Sequence, residues 1–479
     1  MNCQYDISEQ QKQLYIAQNI IGSNNLYTLS FTMTFEGNID HSCICRSIQK
    51  MFDQNKILKA RIEDSNDVVK LALNTGDIKI EYIEKATADI NEYTVMENID
   101  LKSNELYKIK FIKIRDNLYI LYFSFHHIIM DGDSIKLFCE SLRKTYNGEL
   151  KKLNHANKEP QIAQNSNLDY FDYIFYQNIF RKSNYYRQQK EYYHDQFKDH
   201  YDFLDFPSKE TKTHNLYSLA AENISFDFNT FLQIQKYAMA NKLQINSIFL
   251  SGLTLLLSNY CDTNDVVIGC ISNGRENNIL FKNIIGFFSN IMAIRLNLDP
   301  KMQLKDFIYY VNEKINQGIL NQDYTYGEIV RDIDSFTDRN SNSVIQVIFN
   351  MQKSYDIKNQ WEGIDKVSFD LIKNDKIIYD LIVDIKYSDN KVIIKIEYSS
   401  EIFSSSLSKR FITNFQYILD NILSNLSYPL ADIPCINPHE QELILKGFND
   451  NDENIHYNNV FDILYNNINC NRNKIASID

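Results

Sequence analysis

The stretch His126-His127-Ile128-Ile129-Met130-Asp131-Gly132 decides how this chain is read. Before it, Leu118 to Phe125 is an apolar alternating run, and after it Ser134 to Tyr146 has helical spacing. That pattern predicts a strand delivering two imidazoles to a sharp turn, closed by Asp131 and Gly132, and then a helix. Successive side chains on a strand point to opposite faces, so His126 and His127 diverge, one into packing and one into a cavity. Parity does not say which is which. Histidine exchanges protons near neutrality, and a His held at an element's end suits base work. Taken alone, such a pair is more often a satisfied structural pair than a catalytic one.

Composition narrows the function classes. At 479 residues the chain has room for two or three domains of ordinary size. With 44% hydrophobic and 23% charged residues it can fill substantial cores and is not built for disorder. A formal charge of −12, with no long Lys/Arg run, disfavours nucleic acid held through its phosphates. No apolar run approaches the roughly 18 residues a membrane span needs. Met1-Asn2-Cys3-Gln4 lacks the charge and apolar core of a signal peptide. The eight cysteines are scattered without a CxxC pair, which points to free thiols in a reducing cytoplasm and away from zinc.

Apolar periodicity lays out two lobes of similar strand–helix content, an internal pseudo-repeat. Leu29, Phe31, Met33 and Phe35 alternate as a half-buried strand, Gly37-Asn38 turns, and Asp40 caps a helix carrying Ile44, Ile48, Met51 and Phe52. Further strands are expected at Val68–Leu73, Ile78–Ile83 and Tyr107–Ile114. A polar stretch, Asn147 to Leu168, precedes a long aromatic helix, Tyr170 to Phe197. Strands then follow at Ala221–Phe226, Val266–Ser272, Phe287–Leu298, Val344–Asn350, Lys366–Ile372, Leu381–Tyr387 and Lys391–Tyr398. Helices are expected at Phe228–Ala240, Ile245–Ser258 and Ser406–Ser424. The expected units are a lobe over 1–165, a second over 166–430, and over 431–479 an Asn- and Asp-rich linker with a short helix at Phe461–Ile468.

Several decoys fall away. Gly132-Asp133-Ser134 looks like the Gly-Asp-Ser of some lipases, but those carry it at the chain's start. As metal ligands, His126, His127 and Asp131 lack a third well-spaced donor. There is no Gly-x-Ser-x-Gly elbow and no phosphate-cradling Gly-x-x-x-x-Gly-Lys.

Company changes the weight of the histidine pair. His-His-x-x-x-Asp-Gly resembles the signature of condensation domains of nonribosomal peptide synthetases, and other segments of that family follow in order. Ser8 to Tyr15 is similar to its opening Ser-x-Ala-Gln-x-Arg-Leu/Met-Trp/Tyr, and Tyr170-Phe171-Asp172-Tyr173 to Tyr-x-Asp-Phe/Tyr. Ile285 to Asn290, followed by Arg295, resembles Ile-Gly-x-Phe-Val-Asn-Thr with its arginine. Asn321 to Glu328 resembles His/Asn-Gln-Asp-Tyr-Pro-Phe-Glu, and Val344 to Asn350 resembles Leu-Phe-Gln-Val-x-Phe-Asn. The second family segment is poorly kept: Gln54, Asn55 and Lys59 stand for Arg, His and Arg, leaving Leu58 and Arg61. Thr325, Tyr326 and Gly327 dilute the sixth segment, and Ser341 stands where the seventh often has Arg. The likeness covers roughly residues 1–430, and Glu440 to Asn449 with Val460–Ile475 resembles the start of an adenylation domain.

That resemblance implies a mixed α/β fold of two chloramphenicol-acetyltransferase-like lobes, arranged as a V-shaped pseudo-dimer with the site where they meet. It implies amide formation between a donor acyl or peptidyl thioester and the amine of an acceptor aminoacyl thioester. Both substrates ride on 4'-phosphopantetheine arms of upstream and downstream peptidyl carrier proteins. The chain itself then needs no bound cofactor or metal. A downstream adenylation domain is the further partner, and a cytoplasmic monomer is expected, with neither nucleic acid nor membrane. By resemblance His127 is the functional imidazole and His126 is structural. Asp131 is expected to hold the turn through an ion pair, with Arg295 and Arg61 as partner candidates and Lys59 weaker. Gly132 offers a backbone N–H and freedom for positive φ. Ser289 and Asn290 are tunnel or lobe-interface candidates, and Gln322 and Asp323 are expected in a loop touching the first lobe. Alternatives are starter-type N-acylation by a fatty-acyl donor, a coenzyme A acyltransferase, an epimerization domain, and a non-catalytic recruitment domain. His126 excludes the cyclisation branch, which carries Asp there.

Overall fold

Most expected elements are present with bounds shifted by a few residues: the strands expected at Ile78–Ile83 and Phe287–Leu298, for example, are Glu81–Glu84 and Asn290–Asn297. The computed structural model describes every residue except 1–3, 23–24, 66–67, 85–92, 155–167, 202, 208–216, 337–343, 355–359, 449–459 and 471–479. The first lobe contains β1 (Gln4–Tyr5), α1 (Glu9–Ile21), β2 (Thr28–Gly37), α2 (His41–Gln54), β3 (Ala60–Ser65), β4 (Val68–Leu73), β5 (Glu81–Glu84), β6 (Tyr107–Arg115), β7 (Leu118–His126) and α3 (Gly132–Asn154). Next come α4 (Tyr170–Phe180), α5 (Asn184–Phe197), β8 (Tyr217–Phe226), α6 (Phe228–Ala240), α7 (Ile245–Cys261), β9 (Asp265–Ser272) and β10 (Asn290–Asn297). They are followed by α8 (Leu304–Leu320), α9 (Tyr326–Phe336), β11 (Val347–Lys353), β12 (Ile364–Ile372), β13 (Lys376–Ile377), β14 (Leu381–Tyr387), β15 (Val392–Ser399) and α10 (Ser405–Asn421).

Each lobe is a sheet with helices packed on it. The first-lobe sheet has the order β12-β2-β7-β6-β5, with β5 and β6 parallel and the other pairs antiparallel. The second-lobe sheet runs β10-β9-β11-β14-β15-β8-β13, parallel across β9, β11 and β14. A small sheet, β1-β4-β3, flanks the first lobe. Phe31, Phe123, Phe125 and Phe138 stack between the first sheet and α3, with Phe31 and Phe123 at 5.2 Å. In the second lobe α7 is buried on nearly every side, so an all-apolar helix there needs no polar face.

Local chemistry explains where the sequence reading and the structure part. The single aromatic helix expected over Tyr170 to Phe197 is two, because the Ser183 hydroxyl accepts the Tyr186 N–H at 3.2 Å and caps a new start. β12 was expected in the second lobe, yet it pairs antiparallel with β2 and completes the first-lobe sheet. The lobes therefore exchange chain rather than follow one another. Trp361, at the approach to β12, packs against Phe35 at 5.0 Å and against Tyr146. Of the polar stretch Asn147 to Leu168, α3 takes the first part, and 155–167 lie outside the described residues.

One compact unit is Met1–Cys435 and a second is Ile436–Asp479, so the boundary falls slightly beyond the expected 430. The second unit contains α11 (Pro438–Glu442) and α12 (Val460–Cys470), whose Phe461, Leu464 and Tyr465 are exposed. Among the described residues no helix is long and apolar enough to cross a membrane.

Gly286 shows how tightly the parts before the site interlock. A Cβ on it would fall inside the ring of Tyr170, while the Tyr170 hydroxyl donates to the Phe287 carbonyl at 2.5 Å. Gly286→Ala should therefore destabilise the fold by about 1–3 kcal/mol or more. Adding Tyr170→Leu should return part of that loss, read as urea midpoints. An unperturbed Gly286→Ala midpoint would count against this packing.

Candidate active site

The turn after β7 is built from backbone outward. The His126 N–H donates to the Leu106 carbonyl at 2.8 Å and the His127 N–H to the Tyr27 carbonyl at 2.7 Å, so neighbouring strands fix both residues. The imidazoles go different ways. His126 has no exposed surface; its Nε2 meets Gln18 Oε1 at 2.9 Å and its Nδ1 accepts the Ile128 N–H at 3.1 Å. That makes Nδ1 the acceptor and Nε2 the protonated nitrogen of a neutral ring. Burial, with the neighbouring His127 ring, pushes the His126 pKa down to about 3.

His127 is surrounded by protein yet partly exposed, with its ring edge-on to Phe287 at 5.0 Å. Its Nδ1 is enclosed without a hydrogen-bond partner. Burial lowers its pKa; the negative charge of Asp131 and nearby peptide groups oppose this without reversing it. The ring is thus a neutral base at pH 7.

Asp131 faces away from His127 chemistry. Its carboxylate forms a two-pronged pair with Arg275, Nη1–Oδ2 at 2.8 Å and Nη2–Oδ1 at 3.1 Å. It also accepts the Ser134 N–H at 2.8 Å and the Phe288 N–H at 3.0 Å, and its carbonyl accepts the Ile135 N–H, so it caps α3. Burial would raise this carboxyl, but the Arg275 charge and hydrogen bonds, with both peptide N–H groups, hold it below its usual range. Arg275 Nη2 further donates to Ser134 Oγ at 2.8 Å and to the Ile284 carbonyl, and the guanidinium lies 4.2 Å over the Phe288 ring.

The proposed partners of Asp131 were therefore wrong. Arg295 clamps Asp265, with Nε–Oδ1 at 2.9 Å, and the carbonyls of Gln196 and His200. Arg61 pairs with Glu63 and reaches Asn74 Oδ1 at 3.0 Å. Lys59 goes to Asp53. Arg275 stands just past the end of β9, behind an Asn273-Gly274 turn, outside every segment that carried the family likeness. Its only sequence signal is that position, an arginine at a strand end. Gly132 does not have positive φ, and a Cβ there would meet no atom within 4 Å, so neither turn geometry nor packing demands a glycine.

Gln322 and Asp323 also differ from expectation. Asn290 Nδ2 donates to the Gln322 carbonyl at 2.6 Å, Gln322 bonds Ser272, and Asp323 accepts from Asn277 at 3.1 Å, all in the second lobe. The first lobe is reached instead by the residues that follow, where Arg181 joins Glu9 of α1 at 2.6 Å and Glu328 of α9 at 2.7 Å. Asn290 Oδ1 accepts the Tyr326 N–H at 3.3 Å, so its amide links β10 to α9. The Ser289 side chain is partly exposed and makes no hydrogen bond among the described residues. Among the described residues no cluster of His, Cys, Asp and Glu is placed to hold a metal.

Two sheet-and-helix lobes with the histidine turn held between them define the class of two-lobed, chloramphenicol-acetyltransferase-like proteins. The condensation-domain family model matches residues 1–445, and the chain belongs to that family. It is 24% identical over 93% of its length to bacitracin synthase 1 of Bacillus licheniformis and 22% identical over 96% to gramicidin S synthase 2 of Aneurinibacillus migulanus. It spans 8% and 10% of those two synthases. In fold it is similar to the X-domain from teicoplanin biosynthesis, solved with OxyB, at TM-score 0.77 and 14% identity over 91% of this chain and 96% of that one. It is also similar to a variant starter condensation domain of rhizomide synthetase RzmA solved with C8-CoA, at 0.74 and 15% over 90% and 97%.

Two expectations follow from this geometry. Arg275→Ala strands a fully buried carboxylate and should cost about 3–5 kcal/mol; Arg275→Lys, lacking the fork, should recover little. Urea unfolding checks both, and a stable Arg275→Ala protein with lost activity would assign the pair to chemistry instead. His126 gives a pH signature. Unfolded, it takes a proton below about 6.5, whereas folded it stays neutral to about 3. The unfolded state therefore binds more protons in that window, and stability falls as pH drops from 6.5 toward 3, by up to about 1.4 kcal/mol per unit for this group. His126→Gln should lose less stability between pH 7 and 5 than the wild type; equal losses would contradict the assignment.

Proposed function

We propose that the chain forms an amide bond between two thioester substrates carried on 4'-phosphopantetheine arms. The acceptor's amine nitrogen attacks the donor's thioester carbonyl carbon, a C–N bond forms, and the C–S bond breaks. The amine proton passes by way of His127 to the departing donor thiolate, and the acyl chain ends on the acceptor arm. What carries this reading is the neutral, partly exposed His127 within a fold of the condensation family. Thioesters are already activated, so aligning two tethered reactants supplies much of what is needed. Gly132 leaves room for close approach at the start of α3, where a backbone N–H suits a developing oxyanion.

Two carrier proteins, one for each substrate, are the proposed partners. An adenylation domain is the third, supported by the uncovered apolar side chains of α12.

His127→Ala should abolish product on the acceptor carrier while leaving the melting temperature within a few degrees, as intact-mass detection with loaded donor and acceptor carriers would show. Unchanged turnover would sink the proposal. In the wild type, the acid limb of kcat/KM should lie below pH 6.5, because burial lowers the His127 pKa. A panel of aminoacyl and fatty-acyl donors separates elongation from starter N-acylation.

A further inference from the structure

Two phenols lie near each other where the lobes exchange chain. Tyr27 leads into β2, packs against the first-lobe core, and lends its carbonyl to the His127 N–H. Tyr379 lies between β13 and β14 and packs against the second-lobe core. Their segments are tied together, since Asn374 Nδ2 donates to the carbonyls of Asn25 and Leu26 at 3.2 and 3.0 Å.

Both rings are surrounded by protein, and burial pushes the Tyr27 phenol up to about 12 and that of Tyr379 well above its ordinary value. Both stay protonated and can donate at neutral pH. Yet both rings keep part of their surface exposed, and neither hydroxyl has a hydrogen-bond partner among the described residues. The hydroxyls of Tyr193 and Tyr237 also lack partners but are enclosed, which those of Tyr27 and Tyr379 are not. Each phenol is thus largely surrounded by protein yet reachable at its hydroxyl. Tyr27 adjoins the His127 turn through its carbonyl, and Tyr379, from the other lobe, lies close enough to Tyr27 for the two phenols to interact electrostatically.

We infer that Tyr27 and Tyr379 form a substrate-positioning subsite that donates O–H hydrogen bonds to carbonyl oxygens of an amide-bearing thioester. The inference rests on the amide-forming reading above and names what grips the substrate. Carbonyls of this kind come from the pantetheine arm or from the aminoacyl group.

The test replaces each hydroxyl alone, with Tyr27→Phe, Tyr379→Phe and the double variant of the full chain. Acceptors are one aminoacyl group presented as a pantetheine thioester and as an N-acetylcysteamine thioester. Each single change should raise acceptor KM roughly two- to tenfold, the size of one neutral hydrogen bond. kcat should stay within about twofold and melting temperature should not move, which a purely structural role would not produce. A larger KM effect with pantetheine assigns the oxygens to the arm, and an equal effect assigns them to the aminoacyl group; either supports the subsite. Unchanged KM in the double variant with both probes overturns it. Should the wild type form no amide, titration with pantetheine and with the free aminoacyl amide separates the two claims. Weaker binding of pantetheine or of the free aminoacyl amide by the Phe variants then keeps the subsite while the reaction reading falls, and equal binding of both probes removes both claims.

Discussion

A buried ion pair fastens the active turn to the rest of the molecule. Asp131 has no exposed surface and Arg275 keeps 5%. Burying two charges costs several kcal/mol each unless the geometry is excellent and the remaining donors and acceptors are filled. Here they nearly are. The carboxylate has four donors, from Arg275 twice, Ser134 and Phe288, and the guanidinium adds Ser134, Ile284 and Asn273. Only Arg275 Nε is left without a partner. The pair joins three separate stretches, the start of α3, the turn past β9, and the approach to β10. Position therefore depends on both lobes at once.

The opening helix is the second brace, and it is a polar one. The buried face of α1 is Gln10, Gln11, Leu14 and Gln18 rather than an apolar stripe. Gln11 donates to the Ile128 carbonyl at 2.8 Å, Gln18 meets His126, and Gln10 donates to the Tyr173 hydroxyl at 3.0 Å. Buried amides so placed give direction where packing gives only contact. The Ser8 and Tyr170 hydroxyls, 3.0 Å apart, extend the network to Phe287, the residue whose ring meets His127. Segments far apart in sequence thus share one hydrogen-bonded frame.

What the sequence made legible follows from this physics. Short apolar or alternating runs located β2, β4, β7 and β14, and Asp40 marked the start of α2, because these signals are local. β12 was legible as a strand but not in its sheet, since pairing is set by a partner about 330 residues away. β3 was missed because its residues, Ala60 to Ser65, include Arg61, Glu63 and Asp64 and show no apolar alternation. Arg275 was missed for a related reason: an ion-pair partner is chosen by where the chain passes, and nothing local to Asn273-Gly274-Arg275 points at Asp131. The family segments supplied Arg295, whose fork is already filled by Asp265.

The two histidines show how environment divides labour between identical side chains. His126 has both ring nitrogens bonded and is locked neutral, so it can only hold the turn. His127 lacks what makes a strong triad base: no carboxylate bonds its Nδ1, because Asp131 spends its charge on Arg275. An imidazole without that orienting anion gains little from becoming a cation, and burial lowers its pKa further. In the reading proposed above it accepts the amine's hydrogen bond, aims the amine and hands the proton on rather than storing it. Attack on a thioester asks for little more, since the leaving thiolate is itself a competent proton acceptor. The frame around His127 therefore matters through placement, and its rigidity, more than the basicity of the ring, is what the sequence encodes at this turn.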